Sequence, residues 1–392
     1  MWPEFFAYHN GRFYRLFLCI IPLILFSASS VGCQGSDPLG MLVTPQPTTV
    51  TDTSGQSTQP QTAEQTAATA WAAATQAAQP TATPAYAPGQ ARSNPLPVGS
   101  LANVGSWSVQ VLDMMRGEAA WQILQETNSF NEPPAAGREY LLVQFWIKNQ
   151  GDREGSLWLE VTGSRHQLYK HYRAGVVRPQ PQLDNRLAAG EESLGWLAFD
   201  IGANENNLML RLEDGIDFQA TAVYVALDEG ASITRSASLD TITATEWGST
   251  ISDPLIPGQI ATTANWQVQV REVILGETAY ERIIERNRFN DPPEPGSQYG
   301  LVYLWLRHTG QGESPAPVMT RRLFQVVEST ETVYPLPSLV VPHPELRGDV
   351  YPGGELEGWL AIEIPETETA PILRLAFSHG EVRYLSLAAG GR

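Results

Sequence analysis

The chain contains one unusual stretch twice, and this duplication constrains its fold more than any other feature. Residues 130–146 read FNEPPAAGREYLLVQFW, and residues 289–305 read FNDPPEPGSQYGLVYLW. When the chain is aligned with itself without gaps from Trp107 and Trp266, 18 of the next 40 positions are identical. A match of this density over such a window indicates two copies of one domain.

The repeat continues towards the C-terminal end of each copy and sets the domain boundaries. GEESLGWLAFDI corresponds to GGELEGWLAIEI after a four-residue insertion in the second copy. We assign a first copy to residues 95–229 and a second copy to residues 254–389. The segment between them, residues 230–253, is polar and lacks strong periodicity, so we interpret it as an interdomain linker.

Each copy is predicted to be mostly β-structure. Trp107, Val109 and Val111 alternate with polar neighbours, which is typical of a half-buried strand. YLLVQFWI and YGLVYLWL are apolar on both faces and therefore suit a central strand. About seven short strands separated by Gly/Pro turns indicate an immunoglobulin-like sandwich. The predicted fold class is all-β with one short helix per copy, as two tandem immunoglobulin-like β-sandwich domains after a disordered tether.

The short helix is predicted over residues 117–128 and 276–287. Ala120 and Leu124 lie one turn apart in the first helix, so they would form its apolar face. The equivalent positions in the second helix, Ala279 and Ile283, have the same spacing.

The motif FN(E/D)PPxxG is predicted to end the helix and turn the chain into the central strand. Asn128 and Asn287 are expected to adopt the left-handed conformation that ends a helix, and the paired prolines prevent its continuation. Phe130 and Phe289 are expected to plug the core at this turn. The alternative is that the motif binds a ligand.

The N-terminus carries the pattern of an export signal. Arg12 and Arg15 precede an uncharged apolar run of residues 16–32. Cys33 follows Ser-Val-Gly, which resembles the lipobox of bacterial lipoproteins, where the cysteine becomes the lipid-modified first residue of the mature chain. Residues 1–32 are therefore predicted to be a lipoprotein-type signal peptide, with lipidation at Cys33.

Two alternatives for this segment stay open. The apolar run is close to the length of a membrane span and could be an uncleaved anchor helix. Ordinary cleavage could also occur after Ala28-Ser29-Ser30. No cysteine follows Cys33, so the exported domains would be held by core packing without disulfides.

Residues 33–94 are predicted to be a disordered tether. They are rich in Thr, Pro, Gln and Ala, a composition that buries too little apolar surface to offset the entropy of ordering. Such a segment would hold the folded domains away from a membrane, or would act only as a linker.

The order of these motifs resembles a known family. A Trp-x-Val-x-Val strand, a helix ending in FNxPP, a Gly-x-x-Tyr strand and a late GWLAF or GWLAI strand are similar to a large bacterial family of secreted Ig-like domains of unknown function. Members occur on lipoproteins behind Thr/Pro-rich stalks. Both copies resemble complete members and together cover about two thirds of the chain. The resemblance implies fold and location, and no catalytic residues.

Charge and motifs argue against several classes of function. Asp and Glu number 42 against 25 Lys and Arg, and the net charge of −17 opposes binding to nucleic acid. The chain contains no G-x-S-x-G elbow, phosphate-binding glycine loop or HExxH motif. We therefore predict no enzyme activity, no cofactor and no metal. His166 and His171 are expected to face solvent on a strand.

Calcium is the metal whose ligand preferences the sequence comes nearest to meeting. Glu132 beside Asn131, and Asp291 beside Asn290, could offer oxygen ligands to Ca²⁺. The spacing matches no known calcium loop and proline follows at once, so no metal site is predicted.

Aromatic residues are the candidate binding residues. Trp121 and Tyr280 lie on the predicted helices, while Trp158, Tyr169 and Tyr172 lie in the middle of the first copy. Exposed aromatic rings stack on sugars or anchor protein partners. The alternative, which we favour, is that these rings pack in the core.

The sequence therefore predicts a non-catalytic lipoprotein, lipid-anchored to the bacterial cell membrane on its extracytoplasmic side. Its tandem domains would bind or scaffold a partner at the cell surface, with a protein or a cell-wall glycan as the candidates. One alternative is a structural envelope spacer without a specific ligand. Another is an extracytoplasmic hydrolase or a solute-binding component.

Overall fold

The computed structural model describes residues 86–217, 221–327, 332–377 and 380–388. The predicted signal peptide and Cys33 lie outside these residues, as does most of the predicted tether. Among the helices in the described ranges, none has the length and apolar character needed to cross a bilayer.

The first copy folds into two antiparallel sheets. Its strands are β1 Ala102–Val104, β2 Trp107–Arg116, β3 Arg138–Asn149, β4 Gly155–Thr162, β5 Leu168–Lys170, β6 Arg186–Leu187, β7 Glu192–Gly202, β8 Met209–Asp214 and β9 Val223–Ala226. One sheet has the order β1-β2-β3-β7 and the other β5-β4-β8-β9, with β6 beside β4. Helix α1 is Glu118–Thr127, and a 3-10 turn covers His171–Arg173.

The second copy has a matching four-stranded sheet and a second layer that is divided differently. Its strands are β10 Ile260–Thr262, β11 Trp266–Leu275, β12 Ser297–His308, β13 Ala316–Val318, β14 Phe324–Val327, β15 Val333–Tyr334, β16 Gly348–Val350, β17 Glu355–Pro365, β18 Ile372–Ala376 and β19 Val382–Ser386. The sheets are β10-β11-β12-β17, β15-β14-β18-β19 and the pair β13-β16. Its helices are α2 Glu277–Arg286 and the four-residue α3 Thr320–Leu323. The prediction of an all-β fold with β-sandwich layers is confirmed.

The central strand β3 is apolar on both faces because both faces are covered. Val143 and Phe145 pack into the core between the two sheets. Leu142 points to the other face, where it packs with Ala120 and Leu124 of α1. The helix therefore covers the outer face of the sheet. Strand β12 has the same burial pattern where it lies against α2. This is the arrangement that lets a strand without polar alternation lie in a two-layer domain.

The two large sheets share a local irregularity. The pairing of β2 with β3 shifts register between Val111 and Asp113, and that of β11 with β12 shifts between Val270 and Glu272. A bulge at one position adds a residue to one strand and increases its twist. The strand that leads into each helix is bent at the same place in both copies.

The helix exit depends on asparagine, and the predicted role of the phenylalanines is wrong. The side chain of Asn131 donates to the carbonyls of Leu124 and Val177 at 2.8 and 2.9 Å and accepts from Val177 N at 2.8 Å. Phe130 is 90% exposed and Phe289 is 77% exposed. The polar side chain turns inward because it can satisfy backbone groups that would otherwise be left without partners.

The second copy repeats this clamp. Asn290 donates to the carbonyls of Ile283 and Val340 at 3.1 and 2.9 Å and accepts from Val340 N at 2.9 Å. Asn287, like Asn128, is extended at φ near −150°, so the predicted left-handed helix end is also wrong. The left-handed residue comes later, at the glycine of the motif, where φ is +82° for Gly296.

Residues 86–94 were assigned to the tether from their composition, but they are packed structure. Gly89 accepts from Tyr224 N of β9 at 2.8 Å, and Leu96 N donates to the Tyr224 carbonyl at 2.9 Å. Ala91 and Arg92 are fully buried. Composition reports only what a segment can bury by itself, whereas this segment is stabilised by contacts with residues more than 70 positions away.

Candidate functional site

The two copies meet where two edge strands approach each other. Gln167, next to β5, forms an antiparallel bridge with Val350 of β16. Tyr351 N donates to the His166 carbonyl at 2.8 Å, and the Gln167 side chain donates to the Glu355 carbonyl at 2.7 Å. Backbone pairing between edge strands gives this junction a fixed register.

Ion pairs reinforce the junction. Asp349 of β16 is buried, and its two carboxylate oxygens face Lys170 Nζ at 3.1 Å and Arg173 Nη2 at 3.3 Å. Lys170 also lies 3.7 Å from Glu160. Burial raises the pKa of Glu160, and the nearby Arg211 and Lys170 partly oppose that rise. Since one acidic residue of the second copy is held by two basic residues of the first, this contact depends on both copies.

Arg92 joins both copies from within the junction. It is fully buried, with Nη1 3.2 Å from His166 Nδ1 and Nε 3.4 Å from Glu313 Oε2. Its guanidinium lies 3.7 Å from the centre of the Tyr351 ring, in the geometry of a cation–π contact. Burial, with help from Arg92 and Arg307, lowers the pKa of His166 to about 4. His166 is therefore neutral near pH 7 and can accept from Arg92.

The segment assigned as a polar linker is also packed. Ile233 and Leu239 are buried, and residues Ala237–Thr241 form a 3-10 turn. Arg235 donates to the carbonyls of Gly310 and Thr309 at 3.0 and 3.3 Å. All described residues lie in one compact unit, so the copies form a joined pair.

A cleft of about 520 Å³ opens beside this junction. The turn before β3 and the segment 167–173 line one side, and residues 343–349 line the other. Its charged side chains are four basic and three acidic residues: Arg138, Lys170, Arg173, Arg347, Asp200, Glu345 and Asp349. Domain interfaces commonly hold small-molecule sites of this volume.

Each acidic side chain of the cleft has a basic partner. Besides the contacts of Asp349, Arg138 Nε lies 3.0 Å from Asp200 Oδ1, and Arg347 Nη1 lies 3.3 Å from Glu345 Oε2. Arg138 also donates to the Asp200 carbonyl at 2.6 Å. The carboxylates are therefore held as ion pairs.

The helix aromatics predicted as binding residues are half-buried. Trp121 stacks on Tyr140 with ring centres 6.1 Å apart, and Tyr280 lies at the same distance from Tyr299. Each ring thus packs one of its faces against its own domain, as the core-packing alternative describes.

The three aromatics of the first copy are separated by the fold. Trp158 and Tyr172 are 43% and 64% exposed, and neither lines the cleft. Tyr169 lines the cleft but is buried, and its hydroxyl donates to the carboxylate of the buried Glu205. Tyr169 therefore packs as the core-packing alternative describes, with its hydroxyl bound within the domain.

The predicted exposure of two histidines on a strand is also wrong. His171 lies in the 3-10 turn, edge-on to Phe199, and its burial lowers its pKa. His166 lies in a turn at φ +57° and contacts Arg92. In the segment QLYKHY the strand ends at Lys170, and His171 begins the 3-10 turn whose last residue, Arg173, lines the cleft.

Of the groups considered as oxygen ligands to Ca²⁺, the side chains of Asn131 and Asn290 and the backbone carbonyl of Glu132 are engaged in other contacts. The Asn131 amide is bonded to backbone groups on both of its ends. The Glu132 carbonyl accepts from the Tyr140 hydroxyl at 3.1 Å. Within the described ranges, no three His, Cys, Asp or Glu side chains are grouped as metal ligands would be.

No sequence pattern points to the charged residues of the cleft. Lys170 and Arg173 lie in segment 155–187 of the first copy, and Arg347 and Asp349 lie in the part of the second copy that does not align with it. The signal that could have found them is this loss of similarity. Where two copies of one domain stop matching, they are free to acquire different surfaces.

Comparisons with known proteins agree with part of the sequence interpretation. Residues 96–223 match the family described as "Domain of unknown function (DUF4352)". Among solved structures, a candidate lipoprotein (ycdA) of Bacillus subtilis is similar over 32% of this chain, at 13% identity and a TM-score of 0.26. The aligned part spans 37% of that protein's length. Among curated proteins, none matches this chain.

Proposed function

We propose that this protein is a non-catalytic, extracytoplasmic lipoprotein whose tandem immunoglobulin-like domains bind a ligand in the cleft between them. The observation that carries the proposal is the cleft of about 520 Å³ bounded by segments of both copies. A site of this kind exists only when both domains are present in one chain, which gives the duplication a purpose.

The junction supports binding because it fixes the walls of the cleft before a ligand arrives. The bridge between Gln167 and Val350 and the ion pairs of Asp349 lie at its edge. A preformed site loses less conformational entropy on binding than one that must be assembled. Binding therefore does not depend on a large domain movement.

The charge pairing supports a non-catalytic role. A general acid or base needs a titratable group that can exchange a proton with the substrate. Asp349, Asp200 and Glu345 are each held by a basic partner, as described above. These carboxylates stabilise the walls of the cleft and are poorly placed to transfer protons.

The location in the proposal comes from the N-terminal segment. The apolar run at residues 16–32 and the cysteine at position 33 support a lipid anchor in a bacterial membrane. The Thr/Pro-rich segment that follows would place the paired domains away from the bilayer. The membrane partner is then the anchor lipid, and the ligand is free outside the cell.

The proposal is tested by ligand screening with a variant that fills the cleft. Ala136 lines the cleft at an exposed position, so Ala136→Trp adds bulk there without changing the core. Full-length protein in detergent would be screened against sugars, amino acids, organic acids, phosphate esters and polyamines by thermal unfolding. A ligand at 100 times its Kd adds about 2.7 kcal/mol of stability. We expect at least one compound to raise the Tm of the wild type and not that of A136W.

A structural spacer would give a different result. If no compound class stabilises the wild type, or if every stabilising compound acts equally on A136W, the cleft is not a binding site. Turnover of any screened compound would overturn the non-catalytic part of the proposal.

A further inference from the structure

We infer that the cleft between the copies takes a small anionic molecule, one that carries carboxylate or phosphate oxygens. This inference rests on the proposed function of the cleft as a ligand site. It is drawn from the hydrogen-bonding capacity that the arginines of the cleft have left after their ion pairs are formed.

The first of these arginines is Arg138, at the start of β3. Its Nε and Nη2 are used by Asp200, while its Nη1 donates to no described group. A guanidinium has five N–H donors in a planar fork, and this fork matches a carboxylate or a phosphate. Arg138 is therefore held in place on one edge and still has donors on the other.

Arg173 has a similar excess of donors at a similar side-chain exposure. Its Nη2 contacts Asp349, but its Nε is buried and has no acceptor among the described residues. Leaving a buried charged donor without an acceptor is unfavourable. Because that Nε atom is closed to solvent, the donor of Arg173 that an anionic oxygen in the cleft can reach is Nη1, which donates to no described group.

Arg347 completes the set from the second copy. It is half exposed, its Nη1 contacts Glu345, and its Nε and Nη2 donate to no described group. Arg138 and Arg173 belong to the first copy, so an anion held by all three would touch both domains. The requirement for two copies follows directly from this division of donors.

The acceptors of the cleft are used more fully than its donors. Both oxygens of Asp349 face cations, and one oxygen each of Asp200 and Glu345 is bonded. The basic side chains also outnumber the acidic ones at the cleft, in a chain whose net charge is −17. This local reversal of sign favours an anion over a cation.

The residues that line the cleft argue against a neutral sugar as the ligand. Sugar sites present aromatic faces for stacking. The exposed rings Trp158 and Tyr172 do not line the cleft, and Tyr169 is buried. Ion pairing and hydrogen bonding are therefore the interactions that this lining offers.

The test measures binding of defined probes to the full-length protein by isothermal titration calorimetry. Citrate represents carboxylates, glycerol 3-phosphate represents phosphates, glucose is the neutral probe and spermidine is the cationic probe. We expect one or both anions to bind and the other two probes not to bind. A rise in NaCl from low to high concentration should weaken anion binding, because salt screens partly exposed charges.

Two substitutions assign the binding to the arginines. Arg347→Gln keeps hydrogen-bonding capacity without charge, and Arg138→Ser introduces the residue that the repeat places at the equivalent position, Ser297. Each should weaken anion binding by about tenfold or more. The control is Arg271→Gln, which removes an exposed, ion-paired arginine outside the cleft. It should leave the affinity unchanged.

The outcomes separate this inference from the proposed function. If glucose or spermidine binds the wild type and not A136W, the cleft is a ligand site but the anion inference is wrong. Anion binding that survives both R347Q and R138S, or that falls equally in R271Q, also overturns the inference. If no probe binds and the wider screen is also negative, both fail. Since Arg347 is half exposed, R347Q remains informative even if R138S does not fold.

Discussion

The first and second copies share one layer closely and differ in one stretch of the other, although the strand orders β5-β4-β8-β9 and β15-β14-β18-β19 correspond. β3 and β12 have the same length and the same burial pattern, and the strands before them bulge at matching positions. Between the central strand and the GWLA strand, the first copy forms β4, β5 and β6. The second copy instead forms α3 and four short strands in that interval.

The segments that match between the copies form the packed sheets, and the segments that differ form the junction and the cleft. The junction and most of the cleft are built from the divergent segments, through Gln167, Lys170 and Arg173 on one side and Asp349 on the other. The matching four-stranded sheets and their helices pack in the same way in both copies. One copy alone would present an unpaired strand edge where the other copy now lies.

The largest expected effect comes from breaking the junction. Asp349→Ala removes the buried carboxylate that faces Lys170 and Arg173, and loss of one partner of a buried pair costs about 3–5 kcal/mol. We expect the free energy of unfolding, measured by urea denaturation with tryptophan fluorescence, to fall by that amount. Asp291→Ala, at an exposed position of a segment that matches between the copies, should change it by less than about 0.5 kcal/mol. Equal effects of the two would mean that the junction contributes little.

The next prediction concerns the pH dependence of the free energy of unfolding. His166 has no counterpart in the second copy, so its contribution belongs to the first copy alone. Its pKa is lowered from 6.5 to about 4, so the unfolded chain binds the proton first as pH falls. The stability that depends on neutral His166 is present above pH 6.5 and is lost as pH falls towards 4. The loss at pH 4 is at most about 3 kcal/mol, since each unit of pKa is worth about 1.4 kcal/mol, and solvent screening of this partly exposed ring makes it smaller.

His166→Asn isolates this contribution. Asparagine tolerates the positive φ of this position and places an acceptor where Nδ1 meets Arg92. Urea denaturation at several pH values should show a shallower loss of stability below pH 6.5 in the variant. The carboxylates with raised pKa, such as Glu160, are common to both proteins and cancel. Parallel pH profiles would contradict the assignment to His166.

The helix exits provide a matched pair of smaller effects. Asn131 is buried, whereas Asn290 is only half-buried, although each makes three hydrogen bonds to backbone groups. Asn131→Ala should cost about 2–3 kcal/mol and Asn290→Ala about 1–2 kcal/mol, since water can reach the groups left behind in the second case. Urea denaturation again provides the measurement. A larger loss in N290A would reverse the expected order.

The smallest effect is expected at the exposed phenylalanines. Phe130→Ala and Phe289→Ala remove rings that are mostly in solvent, so each should change the free energy of unfolding by less than about 0.5 kcal/mol. Phe145→Ala, which empties a fully buried position, should cost about 3–5 kcal/mol and serves as the control. A cost above about 1 kcal/mol at either exposed position would show packing that the structure lacks.

The sequence predicts the shared layer well because its signals are local. Alternation at Trp107 and Val109 identifies β2, and the spacing of Ala120 and Leu124 identifies the buried face of α1. The double-sided apolar character of β3 is explained by coverage from both sides. Each of these patterns is contained within a dozen residues, so no distant contact is needed to interpret it.

The parts that sequence analysis missed depend on distant contacts. Whether Phe130 or Asn131 turns inward is decided by the backbone of Val177, which no local pattern reveals. Arg92 is buried among His166, Glu313 and Tyr351, which come to it from the two copies. The cleft has the same origin, since it is enclosed by segments that the sequence separates by about 180 positions.

The position of Arg92 has a mechanical consequence. Tension that enters the chain ahead of residue 86 first meets Gly89, which is bonded to Tyr224 of β9, and then Arg92. From Arg92 the load divides between His166 in one copy and Glu313 in the other. A pull from the N-terminal side is thus shared by both sandwiches before the edge strand β1 can peel away.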